Sequence, residues 1–279
     1  TGSAMTDNLD AEAIAEGVMP SLRPQLRRVT VLDETDSTNA ELARLAPAEQ
    51  HAHAVLAEKQ KQGRGRRARR WHSPAGGNIY FSLGWRFSSN DHAFSTLPLV
   101  VAIATANALK RTGLEGHGIK WPNDILVNGK KLAGILVELK SGANQALATM
   151  GVGINVRMPF TAEENPEELI DRPWTDLASN VETGAGPVNR NALASALLDQ
   201  LLASLGRFES TGFESFRRAW AEYDLLRDTK TTLEIDDRSV AGIARGVSDT
   251  GELLLDIDGG DQQAFHAGEV RVFGGTRAF

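Results

Sequence analysis

The sequence predicts an α/β domain with a small β-barrel appended to it. Up to about Leu226, strand-like apolar runs alternate with amphipathic or apolar helical stretches. From Thr229 onward the pattern changes to short strands alone, separated by Asp/Gly turns. The 279 residues, 41% hydrophobic and 24% charged, are enough chain to bury a substantial core.

The elements follow in order. Thr1–Met5 reads as a cloning remnant ahead of the natural start. Residues 8–19 form a short helix stopped by Pro20, and Val29–Leu32 is a strand ended by Asp33–Asp36. Ser37-Thr38-Asn39 opens a helix with Leu42 and Leu45 on its apolar side, and Thr38 and Glu41 have capping-box spacing. Ala52–Glu58 is a strand that runs into a basic loop, and Asn78–Phe87 alternates as the next strand. Phe94–Leu109 is a buried helix, too short and too interrupted by Pro98 and Asn107 for a membrane span. Ile125–Val127 and Lys131–Leu139 flank Asn128-Gly129, a strong hairpin signal. Ala146–Val156 is a further strand, and residues 159–189 are a long acidic loop region. Asn191–Phe208 is an amphipathic helix, with another reaching about Leu226. The barrel strands are Thr231–Ile235, Val240–Val247, Leu253–Ile257, Ala264–His266 and Glu269–Phe273.

Charge is concentrated. The net charge is −6, yet Lys59–Arg70 holds seven Lys/Arg and no acid, so the remaining 23 basic and 36 acidic residues carry −13. Gly63 and Gly65 among the arginines suggest a backbone nest for an anion, supplemented by guanidinium forks. The acidic remainder opposes a polyanion, and only Trp71 is available as a stacking platform, so a compact polyphosphate fits better than a nucleic acid. Gly63-x-Gly65-x-x-Ala68 has the spacing of a dinucleotide fingerprint, but Arg69-Arg70-Trp71-His72-Ser73-Pro74 cannot continue as the helix that fingerprint requires.

The chain has no cysteine, which excludes disulfides, thiol catalysis and thiolate metal sites and is compatible with the cytoplasm. Its six histidines show no nucleophile–base or zincin spacing, and His51-x-His53 is too weak a pattern for a metal. Taken singly, Ser37-Thr38-Asn39, Trp121-Pro122, Lys131 and Asn155 all have ordinary explanations as caps, packing or turn residues.

Together they do not. Ser37-Thr38-Asn39, Glu58-x-Gln60-x-x-Gly63-Arg64-Gly65-Arg66-Arg67-x-Arg69-x-Trp71, Lys120-Trp121-Pro122-Asn123-Asp124, Lys131–Glu138 and Gly151-x-Gly153-Ile154-Asn155 form an ordered set. Over residues 29–275 this set resembles bacterial biotin protein ligases (biotin–acetyl-CoA-carboxylase ligases). The resemblance implies an α+β chain: a mixed-sheet catalytic domain related to lipoate ligases and class II tRNA synthetases over 6–228, then an SH3-like barrel over 229–279. It implies activation of biotin by Mg·ATP to biotinyl-5′-AMP, then transfer to a lysine of a biotin carboxyl carrier domain.

The resemblance also assigns roles. Ser37, Thr38, Asn39 and Gln60 would contact the biotin ring, with Gly134, Gly151 and Gly153 allowing close approach. Gly63, Arg64, Gly65, Arg66, Arg67 and Trp71 form the loop over the adenylate, and Lys131 would meet the biotin carboxylate and α-phosphate. Arg66 and Lys131 are the expected catalytic residues. Asn123 and Asp124 would position Arg66, with Asn155 and Trp174 on the adenine side. No metal ligands are assigned. Ala68 departs from the family's commoner glycine there, and Thr6–Asp36 is too short for the winged-helix domain of bifunctional members. The expectation is therefore a monofunctional cytoplasmic ligase that binds neither nucleic acid nor membrane, as a monomer or ligand-dependent homodimer. The nearest rival is lipoate or octanoate transfer, against which the Gly63–Trp71 pattern argues; a nucleic-acid module is the rival of another class.

Overall fold

The computed structural model describes residues 8–88, 94–141, 145–160, 170, 172–181, 188–257 and 259–272. The expected remnant at 1–5, much of the acidic loop and Phe273 onward lie outside these residues.

The larger unit is a seven-stranded mixed sheet of strands β1 (Arg28–Thr35), β2 (His53–Gln60), β3 (Ile79–Phe87), β4 (His117–Lys120), β5 (Asp124–Val127), β6 (Lys130–Ser141) and β7 (Ala146–Ile154). Their spatial order is β1-β2-β3-β7-β6-β5-β4. Only β1 and β2 run parallel; the other neighbours are antiparallel. Asn128 and Gly129 both have positive φ, as a two-residue hairpin turn requires.

One face of the sheet is the core. Helix α4 (Leu97–Lys110) is apolar almost all round because it lies between the sheet and helix α5 (Arg190–Thr211), to which α1 (Ala11–Gly17) also packs. Phe87 of β3 meets Phe208 of α5 with ring centroids 5.8 Å apart. Alternation along the strands then points Tyr80, Ser82, Gly134, Gly151 and Gly153 to the other face, where α2 (Thr38–Arg44) and α3 (Pro47–Gln50) sit. That face carries the site.

After α6 (Arg217–Tyr223) the chain enters five antiparallel strands: β8 (Lys230–Ile235), β9 (Arg238–Val247), β10 (Leu253–Ile257), β11 (Gln262–Phe265) and β12 (Glu269–Val272), in the order β11-β10-β9-β8-β12. This SH3-like unit is seated against the larger one. Trp121 Nε1 donates to the Gly251 carbonyl at 3.0 Å, and a Cβ on Gly251 would press on Thr96 and Leu99.

Two local expectations are corrected, and one strand, β4, carries no sequence signal: its four residues are too few to show alternation. The helix after Tyr223 does not continue to Leu226, because Asp224 turns out to an extended conformation and bridges to Ile119. The capping box at Thr38 does not form. Ser37 is the N-cap and makes no side-chain cap bond, while Thr38 and Glu41 bond elsewhere.

Candidate active site

A cavity of about 380 Å³ opens on the polar face of the sheet. Its lining includes Ser37, Thr38, Asn39, Gln60, Arg64, Gly65, Arg66, Arg67, Trp71, Asn123, Asp124, Lys131, Gly134, Gly151, Gly153, Asn155 and Trp174, so the five motifs converge. Gly63 lies just outside this lining, in the base of the basic hairpin.

One half is neutral and buried. Ser37, Thr38, Asn39 and Ser82 are all 5% exposed or less. The Thr38 N–H donates to Gln60 Oε1 at 3.0 Å, and Gln60 Nε2 donates to Ser73 Oγ at 3.0 Å. Ser82 Oγ lies 2.8 Å from Thr38 Oγ1 and 2.6 Å from Asn39 Oδ1. The floor is glycine for a visible reason. A Cβ on Gly151 would lie 2.4 Å from Asn39 Oδ1, and one on Gly153 would lie 2.6 Å from the Trp71 ring. Gly134 likewise leaves room for Trp71 and the Lys131 side chain. Here the close approach that the glycines permit is to side chains of the chain itself.

The other half is cationic. Lys131 Nζ is 2.7 Å from Asp124 Oδ1 and 5.1 Å from the centroid of the Trp71 ring. Arg66 Nη1 donates to Asn123 Oδ1 at 3.2 Å, and Asn123 is itself held by its Nδ2 bond to the Ile135 carbonyl at 2.7 Å. Burial pushes Arg66 and Lys120 down from their ordinary pKa values, and the nearby Asp124 carboxylate opposes that shift in both. Half-buried cations with only the Asp124 and Glu269 carboxylates acting on them are suited to receiving an anion.

The basic segment is a small hairpin. Trp71 N–H donates to the Gly63 carbonyl at 2.8 Å, and Gly65 N–H to the Arg69 carbonyl at 2.7 Å. The expected glycine nest is not what shapes it. Gly65 has φ −110°, and Gly63 is required for space, since a Cβ there would be 2.5 Å from Ser73 Oγ and from the Trp71 carbonyl. The positive φ angles fall on Arg67 (55°) and Ala68 (57°), the two central residues of the turn. Ala68, the departure from the family pattern, therefore occupies a position where glycine is less strained.

Asn155 is buried and donates from Nδ2 to the Thr175 carbonyl at 3.0 Å and to the Lys131 carbonyl at 3.4 Å. It thereby ties the Trp174 segment to the start of β6, where Lys131 and Trp174 form a bridge. The Trp174 ring lies 5.1 Å from Phe160, and Phe160 stacks on His72.

Several residues found here have no role in the motif pattern. Lys120 opens the Lys120–Asp124 motif, and Ser82 occupies an alternating position of the Asn78–Phe87 strand, so both carry a signal in the sequence. Glu269 carries none. From the SH3-like unit it pairs with Arg69 (Nη1 to Oε1 3.2 Å), Arg172 and, at 3.9 Å, Arg67. Among the described residues no group of three or more His, Asp or Glu could hold a metal, and no helix is long and apolar enough to cross a membrane.

Residues 30–155 match the Biotin/lipoate A/B protein ligase family and residues 230–272 the Biotin protein ligase C terminal domain. The chain is 39% identical over 233 residues to the bifunctional ligase/repressor BirA of Salmonella typhimurium, covering 83% of this chain and 70% of that protein. It is 33% identical over 264 residues to the biotin–[acetyl-CoA-carboxylase] ligase of Mycobacterium tuberculosis, covering 90% and 93%. The solved biotin protein ligase of Aquifex aeolicus in complex with biotin and ATP superposes with a TM-score of 0.73 at 26% identity, covering 88% of this chain and 99% of that one. Motifs, fold and relatives agree: the chain belongs to the biotin protein ligase family.

Proposed function

We propose that this protein activates biotin with Mg·ATP and transfers it to one lysine of a biotin carboxyl carrier domain of an acyl-CoA carboxylase. The observation that carries this is the single cavity joining a neutral, hydrogen-bonding half to a cationic half, with Lys131 between them. A neutral fused ring ending in a carboxylate matches the first half, and a triphosphate matches the second.

In the first step a biotin carboxylate oxygen bonds to the α-phosphorus of ATP, the α–β bridging P–O bond breaks, and pyrophosphate leaves. Two anions must meet, so cations positioned beforehand lower the barrier. Lys131, held by Asp124, is suited to bridge the carboxylate and α-phosphate; Arg66, held by Asn123, is suited to grip the phosphate after pyrophosphate departs. Mg²⁺ would enter with the nucleotide, bound through phosphate oxygens. In the second step the lysine ε-nitrogen bonds to the biotinyl carbonyl carbon, the bond to AMP breaks, and the nitrogen loses a proton. The hairpin at residues 63–71 would shield the anhydride from water meanwhile. Trp174 and Asn155 are assigned to the adenine side, and the reaction is assigned to the cytoplasm.

Mass spectrometry of a purified carrier domain after incubation with biotin and Mg·ATP tests the proposal. A gain of one biotinyl group is expected, and its loss in Lys131→Ala and Arg66→Ala. Biotin-independent ATP–pyrophosphate exchange that responds only to lipoate would overturn it.

A further inference from the structure

Glu138 ends the Lys131–Glu138 motif and has no role in the chemistry above. It does not line the main cavity; it stands behind it on β6, two positions beyond Leu136, which does. The geometry points to Glu138 as a positioning residue that sets the hydrogen-bond polarity of the neutral half and ties that half to the basic hairpin. The inference rests on the ligase reading, since it concerns recognition of a ureido ring.

The argument starts with one oxygen. Glu138 Oε2 lies 2.7 Å from Asn39 Nδ2 and 3.3 Å from Arg64 Nη2. An ionised carboxylate only accepts, so the Asn39 amide must turn its NH₂ end outward to Glu138, where it also lies 3.5 Å from the Leu136 carbonyl. Its Oδ1 is thereby committed to the inward side, against Ser82 Oγ at 2.6 Å. Ser82 has one proton. Asn39 Oδ1 at 2.6 Å and Thr38 Oγ1 at 2.8 Å both lie within its reach, while the Thr38 hydroxyl donates to Gln60 Oε1 at 3.3 Å. A single half-exposed carboxylate thus fixes the direction of the Asn39 amide and sets an acceptor against Ser82, two side chains that are almost wholly buried. An inward amide oxygen suits a ligand N–H, which a cyclic urea supplies. With the amide reversed, the same site would present N–H to N–H.

The bond to Arg64 adds a second consequence. Arg64 opens the hairpin, bridging to Arg70, so the carboxylate that orients the ring pocket also holds the hairpin's near side. Both partners are about half exposed, so this contact alone stabilises little; its effect is geometric.

The test measures biotin binding by calorimetry and biotin-dependent ATP–pyrophosphate exchange on the full chain, with thermal unfolding as a folding check. Glu138→Leu is expected to weaken biotin about tenfold or more, the loss of a charge-assisted bond to a buried amide, with the biotin KM moving more than kcat. Glu138→Gln, whose amide oxygen can still accept from Asn39, should recover most of the binding but not the Arg64 contact. In an Asn39→Ala background Glu138→Leu should cost nothing further, because the effect passes through Asn39. Lys140→Ala, on the same strand face, should match wild type. Glu138→Leu binding biotin within about twofold of wild type, or adding fully to Asn39→Ala, would overturn the inference while leaving the ligase reading intact. Wild-type protein that neither binds biotin nor shows exchange would overturn both.

Discussion

The two halves of the cavity are built on opposite principles. The neutral half is held by its own contacts: its side chains are buried, stand on strands or a helix, and satisfy each other through short hydrogen bonds. The cationic half is held by ion pairs that cross long stretches of chain, from Arg64 to Glu138 and from Arg67, Arg69 and Arg172 to Glu269. Burial makes hydrogen bonds specific but unforgiving, whereas partly exposed ion pairs yield at low cost. A small neutral ring needs discrimination. A phosphate chain that must enter, react and leave needs charge that can be handed from carboxylate to phosphate.

The largest effect is expected where the halves meet. Lys131→Ala should lower kcat for exchange by about a hundredfold or more, the scale of a lost transition-state donor, with a smaller loss of biotin binding; equal losses in both would mean that Lys131 acts only by holding the carboxylate in the ground state. Ser82→Ala comes next, within the neutral half. It leaves Asn39 Oδ1 and Thr38 without their shared partner, so the biotin KM should rise by about tenfold while the ATP KM stays put. A rise in the ATP KM would erase the boundary between the halves.

Glu269→Gln probes the cationic half from the SH3-like unit. Removing the charge that gathers three arginines should raise the ATP KM a few-fold, at about 0–1 kcal/mol for each exposed pair, and leave biotin calorimetry unchanged. Ala68→Gly relieves a positive φ at the hairpin turn by about 0.5–1 kcal/mol. Slower loss of biotinyl-AMP to hydrolysis is the expected readout; faster loss would show that stiffness at Ala68 aids closure. The smallest effect is that of salt. Raising ionic strength should weaken ATP binding gradually and biotin binding hardly at all, since only the exposed pairs are screened.

How much of this was legible in the sequence depends on the range of the interaction involved. Strand alternation, the Asn128-Gly129 turn, the apolar α4 and the strand-only tail are local patterns, and each appears in the structure at close to its expected place. The motif residues were legible as a set. Their partners were not: Thr38 carries a capping-box spacing locally, yet its hydroxyl serves Gln60 and Ser82 because those strands arrive beside it. β4 went unseen because four residues hold too little periodicity. The glycine spacing of the basic loop suggested a nest, but the turn falls at Arg67-Ala68, where hairpin pairing sets it.

The sequence by itself therefore determined the element pattern, which rests on residue type and short-range spacing, and, through the resemblance its ordered motifs carry, the family and the side chains expected at the site. Only the tertiary structure decided which carboxylates hold the arginines and which way the Asn39 amide faces. Glu138 lies 74 residues from Arg64, and Glu269 lies 200 from Arg69. No local propensity spans such separations; sheet register and the seating of the SH3-like unit bring those charges together.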